Sequence, residues 1–183
     1  MWIVSALFIF FLWLAHQTST DPEIFRQHIS EMRSTTPLAH LLFAFLIVAG
    51  LCFARRAREE RHDLSATLGV VIAVSVLCAW VTPTYSRIHD FFASAPFVLL
   101  FLYVPVMLLH GEHALLAALT LSVPTFLDML MWLAFRGSSG QLQKVNALIF
   151  LGLLNFVYYW VLPVTPPLLH PPYLDDPKAA RQA

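Results

Sequence analysis

The chain has 183 residues, of which 58% are hydrophobic and 12% are charged, and its mean hydropathy is +0.70. Soluble domains carry about 25% charged residues, so this composition excludes a water-soluble globule and a disordered chain. Eleven Lys and Arg residues balance eleven Asp and Glu residues, so no basic field is present to recruit nucleic acid. The sequence predicts an integral membrane protein, with the lipid bilayer as one of its partners.

Six apolar runs predict an all-α, polytopic membrane protein with about six transmembrane helices in a single bundle. A helix needs roughly 20 mostly apolar residues to cross a hydrocarbon core of about 30 Å. His110-Gly-Glu-His113 divides the longest apolar stretch near its middle, because a stretch of that length cannot cross only once. The bundle is expected in residues 1–163, followed by a tail at 164–183, and its spans cover residues 2–16, 37–54, 64–82, 91–109, 114–135 and 145–163.

The placement of the chain in the membrane follows from its first span and from one loop. The first span is short, and a cleaved signal peptide is the alternative. We expect the span to be retained, because no Lys or Arg precedes it and no small-x-small cleavage site follows it. Four arginines in residues 55–61 predict that the loop after the second span is cytoplasmic. Both termini are then cytoplasmic, and the short loops favour the cytoplasmic membrane of a bacterium.

The longest connecting segment and the tail depart from the pattern of tight hairpins. Asp21-Pro22-Glu23 is a helix-start signature, and four apolar residues follow it as a partial stripe, namely Ile24, Phe25, Ile29 and Met32. Residues 17–36 are therefore predicted to form either a short helix on the outer membrane surface or a polar loop with a helical turn.

Six prolines between residues 163 and 177 end the last helix. They predict an extended tail that is able to lie along another subunit.

Small and sulfur-containing residues give two further expectations. Glycine is scarce, at six residues, and no GxxxG occurs, so close backbone contact of the glycophorin type is not indicated. Cys52 and Cys78 are expected at opposite depths of neighbouring spans, which excludes a disulfide between them and predicts that both pack in the core.

Polar residues gather toward one side of the predicted bundle. His16 ends the first span, His40 opens the second, and His89 and Asp90 open the fourth, all on the predicted outer side. Asp128 lies about two turns inside the outer end of the fifth span, among apolar neighbours. Because ionisable residues inside a bilayer are costly, this set is the first hypothesis for a functional site.

Imidazole and carboxylate groups are suitable ligands for Zn, Cu, Ni or non-haem Fe. The expected metal ligands are His40, His89, Asp90 and Asp128, and the expected cofactor-binding residues are His16, His40, His89 and Asp128. Two facing histidines could instead hold a haem. Pro124 lies one turn before Asp128 and frees the Thr120 carbonyl for a ligand or a water molecule.

The alternative is that these histidines and Asp128 have only structural roles. Histidines at the ends of membrane helices are common as interfacial residues, and Asp128 could simply bond Asn155, a Tyr or a Trp of a neighbouring helix. His110-Gly-Glu-His113 lacks the helical HExxH spacing, so a solvated turn is the expected structure there.

Three functions are compatible with these patterns. The first is a helical subunit of a larger membrane complex, with the outer His/Asp cluster as its candidate cofactor or metal site and other membrane subunits as its partners. The second is a stand-alone membrane enzyme that depends on a metal ion or a haem. The third is a small transporter in which Asp128 carries a proton or a cation.

Overall fold

The computed structural model describes residues 1–21, 23–24, 26–134 and 139–163. Within these ranges, five side chains lie outside the description, namely those of Asp128, Met131, Trp132, Ala134 and Ser139. The predicted tail at 164–183 also lies outside the described residues, so its extended form and its partner stay predictions.

The described residues form helices and no strand, which confirms the prediction of an all-α bundle. The helices are α1 (Trp2–Thr18), α2 (Leu38–Glu59), α3 (Asp63–Val81), α4 (Arg87–His110), α5 (Ala114–Ala134) and α6 (Ser139–Phe156), and a π-helical turn, Val157–Val161, continues α6. Among the described residues, α2, α3, α4 and the stretch Gly140–Val161 are long and apolar enough to cross a membrane. Two further stretches are apolar but shorter, namely α1 (Trp2–Thr18) and the part of α5 before Asp128 (Ala114–Leu127).

The helices pack mainly on their neighbours in sequence. α2 packs against α1 and α3, α4 packs against α3 and α5, and α6 closes the bundle against α1, α2 and α4. Large apolar side chains fill the interior, among them Phe8, Phe53, Leu100 and Leu154. The bundle has a loop end, which carries the described residues of 19–37 and residues 82–86, and a turn end, which carries residues 60–62 and 111–113.

α2 and α3 approach each other closely at one glycine on each helix, contrary to the expectation from the missing GxxxG motif. A Cβ atom built on Gly69 would lie 2.7 Å from the Ala54 backbone nitrogen and 2.8 Å from the Gly50 carbonyl oxygen. A Cβ atom on Gly50 would lie 2.9 Å from the Gly69 carbonyl oxygen. The expectation was wrong because a facing pair of glycines on two helices gives the same contact as a repeated motif on one.

Residues 19–37 fold over the loop end of the bundle. Ile24, Ile29 and Met32 are 2%, 4% and 0% exposed, and one short 3-10 turn, Glu31–Ser34, is the helical element of this segment. Pro22 and Phe25 lie outside the description, and the described residues of the segment favour the polar loop with a turn over a helix on the membrane surface. Ile24, Ile29 and Met32 face inward because they complete the core at this end of the bundle.

Arg33 fastens this segment to the end of α3. Its guanidinium donates to the Thr84 hydroxyl at 2.7 Å and to the carbonyl oxygens of Ser30, Trp80 and Thr82. The last carbonyls of a helix have no partner within the helix, and a cation there also complements the negative end of the helix dipole. One arginine therefore provides hydrogen-bond donors for the carbonyl oxygens at the end of α3 and holds residues 19–37 against that helix.

The four arginines of residues 55–61 lie at the turn end. Arg55 pairs with Glu59 at 3.0 Å, Arg56 pairs with Glu60, and Arg56 also lies over the ring of Tyr158. These ion pairs, each four residues apart, extend α2 beyond its apolar run. The cytoplasmic side of this end stays a prediction.

Candidate functional site

His16 connects α1 to α6. Its Nδ1 lies 2.6 Å from the Leu12 carbonyl oxygen, and its Nε2 lies 3.1 Å from the Nζ of Lys144. A carbonyl oxygen only accepts, so Nδ1 carries the hydrogen and Nε2 accepts from the lysine. Lys144 also donates to the Ile24 carbonyl oxygen at 2.7 Å. His16 is therefore engaged in holding α1, α6 and residues 19–37 together.

His40 connects α2 to α3. The Nε1 of Trp80 donates to the Nδ1 of His40 at 2.9 Å, and the two rings are tilted with their centroids 6.0 Å apart. The histidine is otherwise exposed at the start of α2. Tryptophan is common at the ends of membrane helices, so this contact agrees with the structural alternative for His40.

His89 lies in the first turn of α4 and is only 3% exposed. Ser86 caps the helix by accepting from the backbone N–H of His89 at 3.0 Å, as N-cap serines do. The Nδ1 of the ring bonds to the Ala79 carbonyl oxygen of α3 at 2.8 Å. The Nε2 is buried and has no hydrogen-bond partner among the described residues, and a buried polar atom in this state costs about 1–3 kcal/mol.

The predicted set is only partly brought together. His89 and Asp90 line the same cavity at the loop end, whereas His16 and His40 do not line it. The side chain of Asp128 lies outside the description. No group of three or more His, Cys, Asp and Glu residues in the described chain could hold a metal ion. The metal and haem hypotheses, which include Asp128, stay predictions.

A cavity of about 380 Å³, here called the loop-end cavity, lies between residues 19–37 and the first turns of α4 and α6. Residues 19–37 contribute His28, Ser30 and Glu31, and the loop at 82–86 contributes Thr84 and Tyr85. Its volume is within the range of about 300–1,000 Å³ that small-molecule sites occupy.

The two helices that complete the loop-end cavity contribute both polar and apolar groups. α4 presents His89, Asp90 and Phe97 to it, and α6 presents Gln143 and Asn146. The side-chain carbonyl of Gln143 also accepts from the Ile29 backbone N–H at 2.8 Å. The segment 19–37 is therefore part of the wall, and its attachment to α6 sets the shape of the cavity.

The loop at 82–86 holds Tyr85 at the mouth of the cavity in the left-handed region, with a φ of 70°. Its phenol bonds to the Glu31 carboxylate, which raises the pKa of Tyr85. Glu31 also accepts from the His28 backbone N–H at 2.7 Å.

A second, apolar cavity of about 270 Å³, here called the cleft, lies between α4, α5 and α6. Phe97 and Asn146 line both the cleft and the loop-end cavity. Pro124 and Thr125 of α5 form one side of it. The two cavities thus adjoin, with polar groups at the loop end and apolar groups deeper in the bundle.

Sequence reasoning identified His89 and Asp90 but missed most of the polar wall, including His28, Glu31 and Tyr85. One signal could have found Asn146, because it opens the apolar run of α6 at the same end where His89 opens that of α4. The residues of the two loops have no such signal, since their position depends on how the segment 19–37 folds onto the bundle.

The chain was also compared with known proteins. No protein-family model, curated protein or solved structure matches it. The class that the structure supports is an all-helical bundle with several helices suited to a membrane.

Proposed function

We propose that this protein is an integral membrane protein that binds an amphiphilic small molecule. The polar part of the ligand lies in the loop-end cavity, and its apolar part lies in the cleft between α4, α5 and α6. The observation that carries the proposal is that the two cavities share Phe97 and Asn146.

The chemistry of the two cavities supports an amphiphile over a wholly polar or wholly apolar ligand. The loop-end cavity is lined by hydroxyl, carboxylate, amide and imidazole groups, whereas phenylalanine and aliphatic side chains dominate the cleft. Ligands bury apolar surface and use a few polar groups to fix their orientation. The ends of apolar helices are also where a bilayer changes from hydrocarbon to polar groups.

Two variants on α5 test this proposal. Thr125 and Ser122 are both exposed, and each hydroxyl donates to a carbonyl of its own helix four residues earlier. Only Thr125 lines the cleft. Thr125→Trp is expected to fill the cleft, whereas Ser122→Trp is the matched control with the same added bulk.

The measurement is the amphiphile content per chain after purification in mild detergent, by solvent extraction and mass spectrometry. We expect a near-stoichiometric amphiphile with the wild type and with Ser122→Trp, and a clear loss with Thr125→Trp. Equal content in the two variants, or a wild type without any enriched amphiphile, would refute the proposal.

A subunit of a larger membrane complex is the second candidate, and α5 provides its support. Ala117 is 3% exposed, and the other described side chains of α5 are partly or fully exposed, many of them large and apolar. Light scattering in mild detergent tests this candidate. A particle with the 20.7 kDa protein mass of one chain argues against a stable complex, and a larger mass with a second protein supports it.

For the orientation, we propose that the turn end faces the cytoplasm of a bacterium, because four arginines lie there. A topology reporter inserted after Glu112 is then expected to report a cytoplasmic position, and one inserted after Thr84 is expected to report the opposite side. The exchanged result would reverse the orientation.

A further inference from the structure

The charge of the loop-end cavity indicates which head group it takes. Glu31 and Asp90 line it, and no lysine or arginine is among its described lining residues. The Asp90 side chain is exposed and forms no ion pair within the described chain. An anionic head group would meet two carboxylates here, whereas a cation would be attracted by both.

Two nearby cations, Arg33 and Lys144, lie outside the lining of the cavity and make their hydrogen bonds elsewhere. Arg33 donates to the carbonyl oxygens at the end of α3 and to Thr84. Lys144 is turned toward His16 and the Ile24 carbonyl oxygen. Both cations fasten the segment 19–37 and neither lines the cavity, so the two carboxylates are the charged side chains that a ligand there would contact directly.

His89 adds an independent observation. The Ala79 carbonyl oxygen can only accept, so the Nδ1 of His89 carries a hydrogen. Burial disfavours a charged ring, and the neutral ring therefore has a lone pair on Nε2. That nitrogen is the buried atom without a partner, and the ring lines both the loop-end cavity and a small adjoining cavity of about 40 Å³. The missing partner is thus a hydrogen-bond donor.

From these observations, which rest on the function proposed above, we propose that the ligand is an amine with one apolar chain. Its ammonium group lies in the loop-end cavity, close to Asp90 and Glu31, and donates a hydrogen bond to the Nε2 of His89. Its chain lies in the cleft. A quaternary ammonium carries the same charge without an N–H, and an alcohol is a donor without the charge, so the two contributions are separable.

Four probes with the same dodecyl chain test the proposal, namely dodecylamine, dodecyltrimethylammonium, dodecanol and dodecyl sulfate. The protein is placed in nanodiscs of zwitterionic phosphatidylcholine at low ionic strength. Each unlabelled probe displaces tritiated dodecylamine, and empty nanodiscs give the background. We expect dodecylamine to bind about tenfold more tightly than the trimethylammonium probe, because only the primary amine replaces the missing hydrogen bond. We expect dodecyl sulfate to bind most weakly.

Asp90→Asn tests the charge at one position. It is expected to weaken dodecylamine binding by about twofold to fivefold, the usual range for an exposed ion pair, and to leave dodecanol unchanged. Asp63→Asn is the matched control, because Asp63 is also an exposed carboxylate in the first turn of a helix. That variant is expected to bind all four probes as the wild type does.

The outcomes distinguish this inference from the function on which it rests. Equal affinities for the amine and the sulfate, or tighter binding of the sulfate, would overturn the ammonium assignment. If Thr125→Trp still removed the bound probes in that case, the amphiphile site itself would stand. If dodecylamine binds no more to the protein than to empty nanodiscs and no probe displaces it, the inference is wrong. The amphiphile content of the purified protein then tests the proposed function separately.

Discussion

The contact between α2 and α3 gives a prediction whose magnitude follows from the structure. Gly69→Ala places a methyl group 2.7 Å from the Ala54 backbone nitrogen and 2.8 Å from both the Ala54 Cβ and the Gly50 carbonyl oxygen. Ordinary contacts between carbon atoms lie at about 3.5–4.0 Å, so the helices must separate by roughly 1 Å. The neighbours are mostly backbone atoms, which cannot rotate away.

The cost is the loss of packing along the α2–α3 interface. A radial gap of about 0.5–1 Å forfeits a quarter to a half of the dispersion energy of each contact, and overpacked cores lose about 1–3 kcal/mol. Alanine also gains about 1 kcal/mol of helix propensity over glycine, which would partly hide this cost. Gly152→Ala corrects for that gain, because a Cβ at Gly152 meets nothing within 4 Å.

The difference between the two variants therefore isolates the packing cost. We expect Gly69→Ala to have a free energy of unfolding about 1–3 kcal/mol lower than that of Gly152→Ala. The assay is unfolding by increasing SDS in mild detergent micelles, followed by circular dichroism. Equal stability of the two variants would show that α2 and α3 do not approach each other at Gly69 as closely as described.

Three smaller predictions concern the loop end and the interior, each measured by the same unfolding assay. Arg33→Lys is expected to lower the free energy of unfolding by about 2 kcal/mol and to speed proteolysis within residues 19–37, since one ammonium cannot reach all the acceptors; unchanged proteolysis would contradict the role of Arg33. Ser86→Ala should cost about 1 kcal/mol by removing the cap on the His89 N–H, and no loss would mean that the cap is dispensable. Ser5→Ala removes the acceptor of the Asn155 amide at 2.7 Å and should cost about 0.6 kcal/mol, the average for hydrogen bonds between membrane helices; a gain in stability would exclude this bond.

The fold could be predicted from the sequence because membrane spans have a required length and apolarity. The ends of the helices were harder to predict, because hydropathy marks the part of a helix that lies inside the bilayer and not the residue at which the helix ends. α2 was predicted to end at residue 54, and it continues to Glu59 through ion pairs of Arg55 and Arg56. α6 was predicted to start at residue 145, and it begins at Ser139.

The candidate site could be predicted only in part, for a reason that concerns helix rotation. A helix that is apolar all round has no polar face to indicate which side points into the bundle. The sequence therefore placed His16, His40 and His89 at one end, but not on one surface. The structure directs His16 toward Lys144 and His40 toward Trp80, and of the three only His89 lines the cavity.

The segment 19–37 explains why a bundle with such short turns has one long connection. Three-residue turns suffice to join α2 to α3 and α4 to α5, so length is not needed to connect α1 to α2. The extra residues bury Ile24, Ile29 and Met32 and bring His28 and Glu31 over the first turns of α4 and α6. The segment thus closes the core and also supplies His28, Ser30 and Glu31 to the polar wall, which is the reason to seek function at this end of the bundle.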